Sequence, residues 1–350
     1  MVKVSIIVPI YNVQDYIERC LDSIICQECD DFALECVFVN DCTPDDSINA
    51  ICRKLADYSG KIDFKILNHQ KNEGLSAARN TGIQSSNGDF VYFMDSDDRL
   101  EPNAIKTLID SYKHVANHSR VDVVMGNSFL CKNNKVAMNF ETNTPVLYDN
   151  NDETALKSLL NRVLLHTAWN KLIRRDFLLK YDIYFEKGII DEDLLWSYFI
   201  FLYARSVLVV PCVTYIYEDN PSSIMNTTSS KVAKVIRSRI IICNKILECP
   251  PKYSFVEYFV YLFYILSRAI DLFELNKNDS LVGELGVDLC EFRDRFICEV
   301  KEKRLYLLYL FFLTSKKPYY KISNCKLYRR YYDKIAKFMV TISNCFVWKK

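Results

Sequence analysis

Four residues, Asp95-Ser96-Asp97-Asp98, bring three carboxylates to one point of the chain. They follow Phe90-Val91-Tyr92-Phe93-Met94, a short apolar run that reads as a buried strand. Three like charges are too costly to bury there without partners. Asp95 and Asp97 are spaced so that both can reach one hard cation through oxygen, leaving that cation open to phosphate. The plain alternative is a polar strand-to-helix turn, because Asp and Ser are ordinary turn residues. A second acidic group, Asp191-Glu192-Asp193, opens an apolar helix. Acidic side chains suit a helix N-terminus, so capping is the plain reading there. Other chemistries lack their residues. No Gly-x-Gly and no Gly-Lys-Ser/Thr occurs, which removes the main support for dinucleotide and P-loop ATP sites. No Ser or Cys nucleophile motif appears. His114 and His118 stand four apart on a predicted helix with no third ligand, and read as a surface face. Cys26 and Cys29 form a single C-x-x-C with no second pair to complete a zinc site.

The elements that must carry these groups alternate. Strands are predicted over Val4–Val8, Leu34–Val39, Phe64–Leu67, Phe90–Met94 and Val121–Met125. Helices lie between them. The first runs from Asp15 to about Cys26, with Ile17, Leu21, Ile24 and Ile25 on one face. The others run from Asp45 or Asp46 to about Tyr58, over Ala77–Ile83, and from Pro102 to about Val115. This order predicts a doubly wound α/β sheet with ligands at the C-terminal strand ends. Asn12, Asp41, Asn72 and the Asp95–Asp98 group all fall at such ends. Residues 127–150 predict an insertion of short strands. Helices are expected over Thr154–Leu165 and Leu194–Tyr203, and two more strands over Val207–Val210 and Tyr215–Tyr217.

At 350 residues, half of them hydrophobic, the chain can bury a large core with room for an appendage. The net charge of +1 hides an asymmetry. Residues 301–350 carry 13 Lys and Arg against 2 Asp and Glu, and the first 300 residues carry 32 against 42. A basic tail of this kind seeks an anionic surface. From about residue 229 the chain turns helical. Val232–Leu247 has helical spacing, and Tyr253–Leu275 is dominated by Phe, Tyr, Leu and Ile. Leu305–Leu313 is apolar between Arg304 and Lys316, and is too short to span a bilayer, which needs about 20 residues. The aromatic and basic mixture fits a helix lying in a membrane interface, with a small helical bundle as the alternative. Val4–Ile10 is too short for a signal sequence, and the 14 cysteines read as reduced thiols. The expected location is cytoplasmic, peripheral at the inner face of the cell membrane.

Taken in order, the motifs resemble glycosyltransferase family 2, inverting enzymes of the GT-A fold, and most of all bacterial transferases that build capsular or O-antigen polysaccharides. The likeness covers about residues 3–225. It begins at Val4-Ser5-Ile6-Ile7-Val8-Pro9-Ile10-Tyr11-Asn12 and continues through Val39-Asn40-Asp41. It then takes in Asn72-Glu73-Gly74-Leu75-Ser76-Ala77-Ala78-Arg79-Asn80-Thr81-Gly82, Met94–Asp98, Trp169-Asn170-Lys171-Leu172 and Glu192-Asp193. The resemblance implies a Rossmann-like, mostly parallel sheet flanked by helices over residues 1–228. Residues 229–350 then form a helical, basic and aromatic extension.

The resemblance also implies roles. Pro9, Tyr11, Asn12, Asp41, Asn72, Arg79, Asp95 and Ser96 would line the nucleotide-sugar pocket. Asp41 would accept the uracil ring N–H, and Arg79 would pair with phosphate or orient Asp41. Asp95 and Asp97 would hold Mn²⁺ or Mg²⁺ on the diphosphate, with Asp98 as a further partner. Asp193 would be the catalytic base and Glu192 would orient it or the acceptor; Asp191 is acidic too, so the assignment can shift by a residue. Trp169 and Lys171 would lie on the acceptor side. The implied partners are a nucleotide-sugar donor, UDP-linked, a glycan or lipid-linked acceptor in surface polysaccharide synthesis, and an anionic membrane surface, with no nucleic acid. Two departures stand out. Cys42-Thr43 replaces the family's Gly-Ser, and Glu218 stands where many relatives carry Arg. Lys171 or the loop around Ser223 is the expected substitute for that phosphate contact. Two other classes compete. A non-catalytic scaffold on this fold predicts lost acidic residues, yet Asp41, Asp95, Asp97 and Asp193 are present. A sugar nucleotidyltransferase needs a Gly-rich basic first loop, and Val8-Pro9-Ile10-Tyr11-Asn12 has neither Gly nor Lys.

Overall fold

The computed structural model describes residues 1–302 apart from 28–29, 117–119, 138–143, 152, 161–163, 219, 221–228 and 277. Expectations for Cys29, His118, Ser223 and the apolar run 305–313 lie outside the described residues. The chain divides into two compact units, residues 1–188 with 196–223, and residues 189–195 with those from 224 onward.

In the first unit, β1 (Lys3–Ile10) and β2 (Ala33–Asn40) are buried along almost their whole length. Strands covered on both faces show no polar side, which is why the sequence is a continuous apolar run rather than an alternation. Between them α1 (Ile17–Ile25) buries Ile17, Cys20, Leu21 and Ile24, the stripe of a helix seated on a sheet. Next come α2 (Ser47–Leu55), β3 (Asp63–Asn68), α3 (Leu75–Ser85) and β4 (Phe90–Phe93). A Cβ added to Gly82 of α3 would stand 2.3 Å from Cγ2 of Ile7. Glycine at 82 is what lets α3 approach β1 so closely. The chain continues through β5 (Arg99–Leu100), α4 (Ala104–Ala116), β6 (Val123–Leu130), β7 (Lys135–Val136) and β8 (Val146–Asp149). It then forms α5 (Thr154–Leu160), β9 (Lys171–Arg174), α6 (Arg175–Lys180), α7 (Glu192–Tyr203), whose residues up to Leu195 fall in the second unit, and β10 (Ser206–Tyr217).

The strands make one sheet in the order β3-β2-β1-β4-β9-β6-β10-β5, with β7 on β6 and β8 on β10. The α/β sheet expected from the alternation is present. Its first half, β3-β2-β1-β4, is parallel. The second half is mixed: β9, which periodicity does not predict, runs antiparallel between β4 and β6. The two short strands expected near residues 207 and 215 are one strand. β10 pairs with β6 throughout, with register shifts between Val209 and Tyr215. The break in the apolar pattern at Pro211-Cys212 is therefore an irregularity inside a strand rather than a loop.

The second unit holds α8 (Ser229–Glu248), α9 (Phe255–Asn276), α10 (Ser280–Gly283) and α11 (Gly286–Glu302). Leu262, Ile265, Leu266 and Ala269 of α9 are buried. The Tyr258 hydroxyl donates to the Ile246 carbonyl of α8 at 3.0 Å. Among the described residues, no helix is long and apolar enough to cross a membrane.

Candidate active site

β4 ends at Phe93, and the chain leaves the sheet through Met94 into Asp95–Asp98. Each carboxylate there has its own partner. Asp95 Oδ1 accepts from Nη2 of Arg79 at 2.8 Å. Arg79 is buried, with its guanidinium carbon 5.1 Å from the centre of the Phe185 ring, a cation–π distance. The Asp95 N–H donates to the Tyr215 hydroxyl at 3.1 Å, and that hydroxyl donates to Asp98 Oδ2 at 2.7 Å. Asp98 Oδ1 accepts the Glu218 N–H at 2.9 Å. Asp98 thus ties the end of β10 to the acidic turn. Asp97 Oδ2 accepts from the Asn220 amide at 2.9 Å, and Asn220 in turn accepts from the Tyr16 hydroxyl at 3.1 Å.

Burial pushes the Asp98 carboxyl well above the usual carboxylate range, and the charges of Asp95 and Asp97 push it further. Asp97 is raised as well, first by burial and then by Asp95. Among the described residues, no three His, Cys, Asp or Glu side chains converge into a metal cage. The donors present still fit a hard divalent cation. A positive charge at Asp97 would relieve both causes of its raised pKa. Mg²⁺ and similar ions need only one or two carboxylates when substrate phosphates complete the shell. Asp95 already shares its charge with Arg79, whereas the hydrogen-bond partner of Asp97 is the neutral Asn220 amide.

Asp41, at the end of β2, is 3% exposed. Its Oδ1 accepts the Glu73 N–H and its Oδ2 the Gly74 N–H, both at 2.8 Å. Gly74 has φ +92°, which aims two successive N–H groups at one anion. Nδ1 of His69 stands 2.8 Å from Asp41 Oδ1, and its Nε2 stands 2.9 Å from the Thr81 hydroxyl. Asp41 is therefore oriented by His69 and the loop before α3. Arg79, one expected orienter, pairs with Asp95. A carboxylate has about four acceptor sites; with three taken, one remains on Oδ2. The turn after Asp41 does without the family's glycine: Cys42 itself takes φ +55°. Asn40 Oδ1 holds the Thr43 N–H at 2.9 Å, and the Thr43 hydroxyl donates to Asp45 at 2.7 Å while accepting the Asn12 N–H at 2.8 Å. That bond joins the loops after β1 and β2. Pro9 and Ser96 are buried, while Tyr11, Asn12 and Asn72 are exposed at the same strand ends.

Trp169 and Lys171 were expected on the acceptor side, and both are buried. Trp169 is 7% exposed and stacks on Tyr215 at 4.5 Å between ring centres. An aromatic ring already stacked in the core does not offer that face to a sugar. Lys171 is fully buried, and its ammonium donates to the carbonyls of Thr167 and Trp169 and to the Thr167 hydroxyl. Asn170, between them, has φ +61° and accepts from Tyr92 and Thr214. Glu218, the other departure, accepts from Nε of Arg99 at 2.7 Å.

Asp191, Glu192 and Asp193 belong to the second unit. Asp191 has φ +60°, and its carbonyl accepts the Leu194 N–H at 3.1 Å. Glu192 is buried and Asp193 half-buried at the start of α7. The residues that reading the sequence missed are His69, Tyr215, Asn220 and Arg239. Each meets its acidic partner from far along the chain, so no local pattern signals it.

Comparison with known proteins identifies the family and supports the fold. The family model for glycosyl transferase family 2 matches residues 5–181, half of the chain. The chain belongs to glycosyl transferase family 2. It is 31% identical over 241 residues to the glycosyltransferase GlyA of Streptococcus pneumoniae, which covers 65% of this chain and 32% of GlyA. The chain spans less than two thirds of the length of the first curated relatives it matches. The crystal structure of S. aureus TarS 1–349 in complex with UDP-GlcNAc shares its fold, with a TM-score of 0.66 and 20% identity over 91% of this chain and 90% of that one. The mannosyltransferase PcManGT from Pyrobaculum calidifontis, solved with GDP-Man and Mn²⁺, aligns with a TM-score of 0.52 and 16% identity over 99% of this chain and 87% of that one.

Proposed function

We propose that the chain is an inverting, metal-dependent glycosyltransferase. It moves a sugar from a UDP-linked donor to a hydroxyl of a glycan or lipid-linked acceptor in surface polysaccharide synthesis. The observation that carries the reading is the acidic turn after β4. Asp95 is paired with buried Arg79, and Asp97 has its pKa raised by burial and by Asp95. Such a turn suits a cation and the phosphates it binds. Mn²⁺ or Mg²⁺ at Asp97, with Asp95 beside it, would neutralise charge on the departing diphosphate. Asp41, held by His69 and two backbone N–H groups, keeps an acceptor site for the base. Pro9, Tyr11, Asn12, Asn72 and Ser96 stand at the neighbouring strand ends.

The transfer is a single in-line displacement. The acceptor oxygen bonds to the anomeric carbon as the bond from that carbon to the diphosphate oxygen breaks. The bonding pair leaves with the nucleoside diphosphate, and Asp193 takes the acceptor proton, with Glu192 orienting it. The basic residues of 301–350 would hold the enzyme at an anionic membrane surface on the cytoplasmic side.

Calorimetric titration of the full chain with UDP-sugars and GDP-sugars, with Mn²⁺ or with chelator, tests this. One UDP-sugar should bind only with metal, and Asp97→Ala should weaken it by about 100-fold, or ~3 kcal/mol. Equal binding in chelator, or none by the folded chain, would sink the reading.

A further inference from the structure

Three unusual features converge within the second unit just before the acidic pair. The first is backbone strain. Asp191 holds φ +60°, a left-handed conformation that only a few per cent of non-glycine residues adopt, Asp and Asn among the commonest. The second is a clamp from α8. The Ile190 N–H donates to the Ser238 hydroxyl at 2.9 Å, and Nη2 of Arg239 donates to Asp191 Oδ2 at 2.6 Å. Two consecutive residues of one helix therefore grip two consecutive residues of the segment that leads into α7. Ser238 is itself fixed, donating to the Lys234 carbonyl at 2.7 Å.

The third feature is incomplete pairing. The Arg239 side chain is only 11% exposed. Its Nε and Nη1 are buried and have no hydrogen-bond partner among the described residues. The Tyr261 hydroxyl, on α9, is likewise buried without one. Tyr261 senses this neighbourhood: burial raises its pKa, the Asp193 charge raises it further, and the Arg239 charge opposes. A buried guanidinium used through one nitrogen is a poor stabilising device, because unpaired buried donors are costly. Strain and unmet pairing gathered at one point indicate selection for geometry rather than for stability.

We propose that Arg239 is a positioning residue for glycosyl transfer. It holds Asp191 in its left-handed turn and so sets where Glu192 and Asp193 stand at the start of α7. The inference rests on the reading of Asp193 as the base, and deepens it by naming what holds that base. Leu194 links the two, since its N–H closes the first turn on the Asp191 carbonyl. Releasing Asp191 frees that turn.

The test uses the full chain with Mn²⁺ and follows UDP release, with water as acceptor, from the UDP-sugar that binds in the titration above. That reaction needs the same base and no identified acceptor. Arg239→Ala should lower kcat by on the order of 10–100-fold, the effect of a misplaced catalytic group. UDP affinity should stay within about twofold, a kcat-against-binding split that general unfolding does not give. Arg239→Lys should recover part of the loss, because it keeps the charge but not the planar fork. Asp191→Ala should lose turnover like Arg239→Ala, and the double variant should be no worse than either alone. Hydrogen exchange should rise in residues 189–195 of Arg239→Ala and not in β1 or β4. Full turnover in Arg239→Ala, equal loss of UDP binding, or multiplying losses in the double variant would overturn the positioning role. Asp193→Asn separates the two claims. Loss there with full turnover in Arg239→Ala overturns the positioning role alone, while full turnover in Asp193→Asn overturns the base and the positioning role together.

Discussion

Replacing Glu35 by Gln tests whether the parallel half of the sheet is pinned by a buried charge. Glu35 lies on β2 opposite Ser5 of β1, and its side chain is fully buried. Its carboxylate accepts from the Ser5 hydroxyl and the Asn87 N–H at 2.5 Å each, and from the ammonium groups of Lys3 and Lys65 at 2.9 Å each. Burial alone would raise its pKa. The bonds from Ser5, Asn87, Lys3 and Lys65 outweigh that and bring the carboxyl from 4.5 down to about 2. A depression of that size favours the ionised folded state by about 3 kcal/mol. Lys3 and Lys65 are each about a third exposed, so solvent screening trims the expected loss to about 2 kcal/mol. The folded pKa lies below the unfolded one. The contribution is therefore full above pH 4.5 and fades as pH falls toward 2. Urea unfolding followed by tryptophan fluorescence should show Glu35→Gln destabilised by about 2 kcal/mol at pH 7, with the gap to the parent closing between pH 4.5 and 2. Glu35 sits at the end of the sheet away from Asp95, so UDP affinity of the folded variant should not change. A gap under ~0.5 kcal/mol at pH 7, or one that stays constant in acid, would refute the reasoning.

Two further outcomes follow from the site. Tyr215→Phe strips the hydroxyl that bridges the Asp95 N–H and Asp98, leaving the Asp95 N–H and the buried Asp98 carboxyl each short of a partner. It should cost about 1–3 kcal/mol in urea unfolding and weaken metal-dependent UDP binding, and a neutral result would show the bridge to be idle. His69→Ala removes the ring that joins Asp41 to Thr81, and should weaken UDP by about tenfold in calorimetry. Unchanged affinity would mean that the loop N–H groups alone orient Asp41.

The sequence by itself determined the order of strands and helices through β4 and the placing of the acidic groups at strand ends. Val4–Ile10, Leu34–Val39 and Phe90–Phe93 are doubly buried strands, and burial on both faces writes itself into the chain as unbroken apolar runs. The stripe Ile17, Leu21, Ile24 was equally legible, because a helix on a sheet must repeat its apolar side chains every three to four residues. Asp41 and Asp95–Asp98 could be located because charge directly after a buried run must sit where the run leaves the sheet.

Tertiary structure alone decided what each acidic group meets. Arg79 is an unremarkable helix residue until α3 lies on β1 and turns it to Asp95. Asn220 reaches Asp97 across 123 residues of chain, and Tyr215 reaches Asp98 across 117. Trp169 and Lys171 were placed on the acceptor side by the resemblance, which says nothing of how deeply each is buried. The antiparallel entry of β9 between β4 and β6 buries them, and β9 is too short to leave a period. Periodicity records which face of an element is covered. It carries nothing about which distant side chain does the covering, and charge pairing is settled by that partner.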